Sequence, residues 1–324
     1  MSKNISNLSG RIGLKDNLFK KISENSLSSS PKDIKDIAKE YNLGVSTLHG
    51  AESFYEFLRP SHREKKAFVC NGSACMCAGT QEKLKETLKS KLGDDKVGEM
   101  FCLGHCYENK AFHYDGENYA GNDIEKIDQI IKGEKIDQVK YFSKSFASTS
   151  FLMDDKLSTI EKFKDYLDVV LKKDKKEIIQ SLLNSNLTGR GGAGFPTGMK
   201  WDFCSKAPGD KKYVICNADE GDPGAFMDRS MMESVPHQVL EGMLIAALAT
   251  GATELFIYAR AEYPLAVKNM NKAIEQVYEN KINKINDQTI EITVKEGAGA
   301  FVCGEETAMI HSLEGGRGNP RYRP

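Results

Sequence analysis

A glycine-rich segment at residues 188–201 constrains the fold of this chain more than any other feature. Five glycines and one proline interrupt a helical pattern, and the only tryptophan, Trp201, closes the segment. Glycine tolerates positive φ angles and leaves backbone N–H groups open to a ligand. Consecutive N–H groups form a concave anion site, to which Arg190 and Lys200 add positive charge. Phosphate binding beside the flat rings of Phe195 and Trp201 indicates a nucleotide or a flavin, although a tight surface turn explains the same glycines.

The surroundings of the glycines exclude two nucleotide-binding motifs. No Gly-Lys-Ser or Gly-Lys-Thr closes the segment, as in the phosphate loop of ATPases. No clear strand leads into it, as the dinucleotide fingerprint Gly-x-Gly-x-x-Gly requires. A nucleotide site here must therefore be of another kind.

Composition limits the class of protein. The net charge of the 324 residues is −1, which argues against a nucleic-acid binder that depends on overall basicity. The longest apolar run, Met243 to Ala249, is too short to cross a membrane, and the N-terminus has no apolar signal region. We therefore expect a cytoplasmic protein without membrane insertion. In that reducing compartment, eight cysteines indicate metal or redox chemistry rather than disulfides.

Strand and helix patterns divide the chain into four regions. Residues 1–64 are predicted to be helical, and residues 65–140 read as strand, helix, hairpin and helix, which is a small α/β domain. Residues 141–158 are predicted to be a linker. Residues 159–324 begin with one long helix to Leu183 and then alternate strands with helices, which predicts a parallel sheet covered by helices.

Two close pairs of cysteines indicate a metal centre in the second region. Each pair follows a predicted strand. Four residues separate Cys70 from Cys75, and three residues separate Cys102 from Cys106. Four thiolates on two loops suit zinc or a [2Fe–2S] cluster. The gaps favour iron–sulfur, because structural zinc sites often use two-residue knuckles, which neither pair has. Zinc and unligated thiols remain the alternatives.

Two further motifs follow predicted strands of the last region. An acidic segment covers residues 217–224, and a second glycine-containing segment covers residues 297–307 and opens a helix. In parallel α/β sheets, ligands bind at the carboxyl ends of strands. The first segment is also compatible with an acidic turn, and Glu305 and Glu306 with capping of the helix.

Together these motifs resemble a known family. The segments at 189–198, 217–224 and 297–307 resemble the FMN- and NADH-binding subunit of respiratory complex I, and residues 221–229 are more similar to its relatives in soluble NAD(P)-linked hydrogenases and formate dehydrogenases. Residues from about 25 to 135 resemble the partner subunit, with a helical N-terminus and a thioredoxin-like [2Fe–2S] domain. The resemblance implies an α/β fold class: an N-terminal helical segment, a thioredoxin-like [2Fe–2S] domain, and a Rossmann-like parallel α/β FMN-binding domain that is incomplete.

The resemblance also implies cofactor-binding residues. Those implied for FMN are Gly189, Arg190, Gly191, Gly192, Lys200, Asn217, Asp219, Glu220, Phe301, Gly304, Glu305 and Glu306. Those implied for NAD(H) or NADP(H) are Phe195 and Phe203 around the adenine and Asp222 near the nicotinamide. The cysteines Cys70, Cys75, Cys102 and Cys106 are implied as the [2Fe–2S] ligands. Asp222 and Phe301 stand where the respiratory members often have Glu and Tyr. No catalytic side chain is implied, because the cofactors carry the chemistry.

The resemblance implies a diaphorase subunit that passes hydride between a nicotinamide and FMN and single electrons through a [2Fe–2S] cluster. Its partners would be the other subunits of a hydrogenase, a formate dehydrogenase or a complex-I-like NADH dehydrogenase, with no nucleic acid. The family continues with more of the flavin domain, a ubiquitin-like domain and a [4Fe–4S] domain, so we expect a C-terminally truncated chain or one piece of a split protein. The alternatives are a non-catalytic electron-carrier or assembly module that no longer retains FMN, and a zinc-bound interaction domain.

Overall fold

The computed structural model describes residues 18–27, 33–136, 160–209, 211–285, 288–297 and 299–322, and the linker predicted at 141–158 lies outside them. The helical prediction for the first region is confirmed over its described part by three helices, α1 (Leu18–Leu27), α2 (Ile34–Glu40) and α3 (Val45–Phe54). Short 3₁₀ turns follow at Glu56–Leu58 and Pro60–His62. We call residues 18–27 and 33–62 the helical segment.

The first α/β unit contains four strands and three helices. In chain order they are β1 (Ala67–Cys70), α4 (Ser73–Cys77), α5 (Gln81–Leu92), β2 (Val97–Met100), β3 (Phe112–Tyr114), β4 (Glu117–Tyr119) and α6 (Ile127–Ile131). The strand order is β2-β1-β3-β4, with β1 and β2 parallel and the other pairs antiparallel. The predicted hairpin is confirmed, since Asp115 and Gly116 between β3 and β4 both have positive φ angles, as a tight two-residue turn requires.

The second α/β unit contains seven helices and five strands within the described residues. In chain order they are α7 (Ile160–Val170), α8 (Lys175–Ser185), α9 (Thr197–Lys206), β5 (Tyr213–Ala218), α10 (Met227–Ser234), α11 (Pro236–Thr250), β6 (Glu254–Arg260), α12 (Pro264–Glu279), β7 (Lys284–Ile285), β8 (Gln288–Thr289), β9 (Glu291–Gly297) and α13 (Glu306–Leu313). The main sheet has the order β5-β6-β9 and is entirely parallel, as predicted. Its core is built by buried aliphatic side chains of β6, α11 and α12.

The single helix predicted from residue 159 to Leu183 is wrong, because the structure breaks it into α7 and α8. Asp174 starts the second helix: its side chain accepts a hydrogen bond from the N–H of Lys176 at 2.8 Å. An aspartate in this position satisfies an N–H group that an uninterrupted helix would bond to an earlier carbonyl, so it favours a helix start.

The helical segment packs against the second unit. Its buried side chains share one hydrophobic cluster with Tyr258, Cys303 and Met309. The hydroxyl of Tyr55 donates to the carbonyl of Gly316 at 2.8 Å and shares a hydrogen bond of 2.8 Å with Ser312 Oγ. Helices that precede the first unit in the chain therefore complete the core of the second.

The register of the parallel sheet brings three chain segments to one edge. Ala218 at the end of β5 is paired with Ala259, and Arg260 at the end of β6 is paired with Gly297 at the end of β9. The loops that follow these strands must therefore start side by side, at the edge where parallel sheets bind ligands. Among the described residues, no helix is long and apolar enough to cross a membrane.

Candidate cofactor sites

The four predicted cluster ligands lie on two loops of the first unit. Cys70 ends β1 and Cys75 lies in α4, whereas Cys102 and Cys106 lie in the loop after β2. Three of the thiols are buried and that of Cys106 is half-buried. The buried side chain of Gln81 holds the first loop, because its Nε2 donates to the carbonyl of Cys70 at 2.7 Å.

The thiols form two pairs rather than one tetrahedron. The Sγ atoms of Cys102 and Cys106 are 3.4 Å apart, and Cys70 and Cys75 share a hydrogen bond. Two thiolates on one tetrahedral metal with a metal–sulfur distance of about 2.3 Å lie about 3.8 Å apart. Among the described residues, no three His, Cys, Asp or Glu side chains surround a point that a single ion could occupy. Four thiols on two adjacent loops suit a two-iron cluster, and the assignment of these cysteines as its ligands stays a prediction.

The environment supplies a donor to sulfur and divides each pair, because the hydrogen bond within the pair raises the pKa of Cys70 and Cys102 and lowers the pKa of Cys75 and Cys106. The N–H of Leu103 points at Cys70 Sγ over 3.5 Å. The hydrogen bond from Cys102 lowers the pKa of Cys106 to about 6. Gly72 packs closely against the second loop, because a Cβ on it would lie 3.2 Å from the Cα of Cys102.

The glycine-rich segment forms a loop that is closed at its base and open at its tip. The N–H of Gly189 donates to the carbonyl of Phe195 at 2.9 Å, and Thr188 and Pro196 form an isolated antiparallel bridge. Gly192 has a φ angle of 100°, and a Cβ there would meet nothing within 4 Å. The loop then enters α9 directly. The backbone at the tip is therefore exposed and available to a ligand. Binding of the FMN phosphate by this loop stays a prediction.

The end of β5 and the loop after β9 are joined by a hydrogen bond. The side-chain amide of Asn217 donates to the carbonyl of Gly304 at 2.8 Å, and a Cβ on Gly304 would lie 3.1 Å from the carbonyl oxygen of Asp219. Burial raises the pKa of Asp219 to about 7, and its Oδ2 has no hydrogen-bond partner in the described part of the chain. The structure thus brings together the candidates from two of the three motifs.

Two of the predicted FMN ligands cap helices. The carboxylate of Glu220 accepts hydrogen bonds from three N–H groups at the start of α10, at 2.8, 3.0 and 3.2 Å. Glu305 accepts from the N–H groups of Thr307 and Ala308 at the start of α13, at 2.9 and 2.8 Å. For Glu305, the structure therefore shows capping of a helix, which the sequence analysis gave as the alternative to FMN binding. Contact of either carboxylate with FMN stays a prediction. Glu306, the next residue, is exposed.

The predicted dinucleotide residues lie on the surface. Phe195 and Phe203 are 45% and 57% exposed, and their ring centroids are 6.5 Å apart with an angle of 53° between the rings. Asp222 is exposed, and Phe301 is 65% exposed beside the backbone of Gly221. These apolar rings are available to a planar ligand, and stacking on adenine stays a prediction.

The sequence analysis missed a pair of buried charges at the end of β6. Arg260 Nη2 lies 2.6 Å from Glu262 Oε1, and both residues are almost completely buried. They line a cleft of about 410 Å³, which also contacts Cys102, Gly221 and Phe301. Ligands bind at the carboxyl ends of parallel strands, and this rule predicted ligand residues after β5. The same rule applied to β6 would have pointed to the segment that follows Ala259. This cleft connects the cysteine loop with the loops at the edge of the parallel sheet.

A second group of missed residues joins the two α/β units. The side-chain amide of Asn118 donates to the carbonyls of Leu103, at 3.1 Å, and of Glu262, at 2.6 Å. Arg229 of α10 donates to the carbonyl of Gly104. Arg229 thus contacts the loop that carries Cys102 and Cys106 directly, and Asn118 links the same loop to the second unit through Glu262.

Comparison with known proteins identifies both units. Residues 17–135 match the family of thioredoxin-like [2Fe–2S] ferredoxins, and residues 182–324 match the Nuo51 FMN-binding domain. A component of the NADH-quinone oxidoreductase of Rhizobium meliloti is 50% identical over 152 residues, which cover 46% of this chain and 36% of that protein. The alpha subunit of the NAD-reducing hydrogenase HoxS from Cupriavidus necator is 30% identical over 330 residues, which cover 92% of this chain and 52% of that protein.

A solved structure agrees with these relatives. The NAD⁺-reducing [NiFe]-hydrogenase in the H₂-reduced state matches with a TM-score of 0.77 and 27% identity, over 96% of this chain and 56% of that one. The chain spans between about a third and about a half of the length of the curated relatives it matches. The predicted fold class and the resemblance are confirmed. Residues 17–135 therefore belong to the thioredoxin-like [2Fe–2S] ferredoxins, and residues 182–324 belong to the Nuo51 FMN-binding domains.

Proposed function

We propose that this chain is an NAD(P)H-linked diaphorase subunit, which exchanges electrons between a nicotinamide and FMN and carries single electrons on a [2Fe–2S] cluster. The observation that supports it most directly is the cleft of about 410 Å³, because it is lined both by Cys102 and by Gly221 and Phe301 of the candidate flavin loops. We propose the domain limits 1–64, 65–140, 141–158 and 159–324 predicted from the sequence.

The chain's own residues would bind and orient FMN. The exposed backbone at Gly191 and Gly192, with the positive charges of Arg190 and Lys200, suits its phosphate. Asp219 Oδ2 is a buried acceptor with no protein partner in the described residues, and a ring N–H of the flavin would satisfy it. Gly304 lets the two loops approach closely enough to form one wall of the site.

When bound, FMN supplies two-electron exchange with nicotinamide and one-electron exchange with iron–sulfur centres. The contribution of the protein is position and environment, and no side chain is assigned as acid or base. Phe195 and Phe203 would hold the adenine, and Asp222 would lie near the nicotinamide. Cys70, Cys75, Cys102 and Cys106 would hold the cluster, on loops kept in place by Gln81 and Asn118.

The relatives indicate the setting. One is named as a subunit of an NADH-quinone oxidoreductase, another as a subunit of an NADP-reducing hydrogenase of Solidesulfovibrio fructosivorans, and a third as a subunit of an NAD-reducing hydrogenase. We propose that this chain likewise works with other subunits of a multi-subunit oxidoreductase. A cytoplasmic location is proposed because all eight cysteines are free thiols.

Reconstitution tests the proposal. The purified chain is incubated with FMN, iron and sulfide, and its visible and EPR spectra are recorded before and after addition of NADH or NADPH. We expect a bound flavin that loses its colour with a nicotinamide, and a reduced [2Fe–2S] signal after dithionite. Cluster absorption without bound flavin, and without reduction of a dye by NADH or NADPH, would support the non-catalytic alternative instead. Zinc in place of iron by metal analysis would contradict the cluster assignment.

A further inference from the structure

Arg229 is a buried cation of the second unit that lies against the cysteine loop of the first. It is only 4% exposed. Its Nη1 donates to the carbonyl of Gly104, and its Nη2 donates to the hydroxyl of Tyr107 at 3.0 Å. Gly104 lies midway between Cys102 and Cys106. The guanidinium therefore reaches the backbone that carries two of the proposed cluster ligands.

The surroundings keep this guanidinium in one position. It lies between the rings of Tyr107 and Tyr263, with the carbon of the guanidinium 5.4 Å from each ring centroid. Glu233, one helical turn later, places Oε1 3.4 Å from Arg229 Nε. A cation between two aromatic faces is stabilised by both rings and has little freedom to move.

The helix that carries Arg229 is fixed at the edge of the parallel sheet. Glu220, which follows β5, accepts hydrogen bonds from the N–H groups of Met227, Asp228 and Arg229. The hydroxyl of Tyr263 donates to the backbone carbonyl of Glu220. One short helix thus connects the loop of the candidate flavin site with the loop of the candidate cluster.

We propose that Arg229 is a positioning residue for the cluster: it holds the loop from Cys102 to Cys106 and raises the reduction potential of the [2Fe–2S] centre. This inference rests on the proposed function. A reduced cluster carries one more negative charge than an oxidised one, so a fixed positive charge nearby stabilises the reduced form. Burial limits screening by water and salt. The carboxylate of Glu233 offsets part of the effect.

A potentiometric titration followed by EPR tests the proposal in the reconstituted full chain. Arg229→Gln is expected to make reduction harder: at the midpoint potential of the unsubstituted chain, the ratio of reduced to oxidised cluster falls at least tenfold, which corresponds to about 59 mV for one electron. Arg229→Lys keeps the charge and is expected to shift the ratio less. Glu233→Gln removes the opposing charge and is expected to shift it in the other direction.

The controls separate charge from structure. Tyr107→Phe removes a hydrogen bond of Arg229 but no charge, so a much smaller shift than that of Arg229→Gln is expected. Lys272→Gln removes an exposed charge from α12 and is expected to leave the potential unchanged. Equal shifts for Arg229→Gln and Arg229→Lys, or no shift for Arg229→Gln, would overturn the proposal. If Arg229→Gln takes up no cluster, the Glu233→Gln variant tests the proposal instead. An unchanged reduction potential in Glu233→Gln would exclude an electrostatic role of Arg229. A missing cluster signal in the unsubstituted chain would instead contradict the proposed function itself.

Discussion

Substitution of Gly104 by alanine tests whether the two α/β units are packed at the cysteine loop as the structure has them. Gly104 has a φ angle of 77°, and a Cβ on it would collide with the guanidinium of Arg229 and lie 2.6 Å from Cε1 of Tyr263. The left-handed conformation costs an alanine about 1–2 kcal/mol. Forcing one extra carbon into a packed core costs about 1–3 kcal/mol more. We therefore expect Gly104→Ala to lower the free energy of unfolding by about 2–5 kcal/mol.

Gly116 provides a matched control in the same unit. It has a φ angle of 81°, and its added Cβ would meet nothing within 4 Å. Gly116→Ala therefore carries the conformational cost of about 1–2 kcal/mol without the collision. The difference between the two variants isolates the contact of Gly104 with the second unit.

The assay is urea denaturation of the full chain, followed by circular dichroism, with iron content as a second readout. We expect the larger loss of stability in Gly104→Ala together with lower uptake of iron, because its loop carries Cys102 and Cys106. Equal losses of stability in the two variants would refute the reasoning, since the second unit would then not press on Gly104.

Three further predictions concern single side chains. Cys102→Ser should abolish the EPR signal of the reduced cluster, whereas Cys77→Ser, which changes an exposed thiol two residues after Cys75, should preserve it; a signal in the first variant would contradict the ligand assignment. Phe195→Ala should weaken binding of NADH or NADPH more than binding of FMN in fluorescence titrations, and equal losses would exclude stacking on the dinucleotide. Burial raises the pKa of Asp219 to about 7 from 3.8, so in the flavin-free chain the folded state binds more protons than the unfolded state between about pH 4 and pH 7, and stability falls as pH rises through that range. Asp219→Asn should flatten this dependence in urea denaturation and stabilise the flavin-free chain at pH 8, and an unchanged pH profile would contradict the buried position.

Local patterns explain why much of the fold could be predicted from the sequence. The hairpin required only Asp115 and Gly116, whose residue types tolerate positive φ angles. The parallel sheet followed from buried strands that alternate with helices. The break between α7 and α8 was missed because their apolar positions continue with helical spacing, whereas the helix start depends on one side chain, that of Asp174.

The candidate sites divide in the same way. The cysteine pairs and the glycine-rich loop are encoded within short segments, so their positions could be predicted. The roles of Glu220 and Glu305 could not be predicted, because a carboxylate that follows a strand can bind a ligand or cap a helix N-terminus equally well. Only the geometry distinguishes them: Glu220 accepts hydrogen bonds from three N–H groups of α10, and Glu305 from two of α13.

Contacts between the units were beyond prediction because they join residues far apart in the chain. Arg229 meets Gly104 across 125 positions, and Asn118 meets Glu262 across 144. In a single sequence, Arg229 looks like an ordinary charge on a short helix, since no local pattern reports which surface will cover it. Yet Arg229 and Asn118 both donate to carbonyls of the loop between Cys102 and Cys106, where small displacements change the geometry and charge around a cluster. The contacts of the second unit with this loop are therefore visible only in the folded chain.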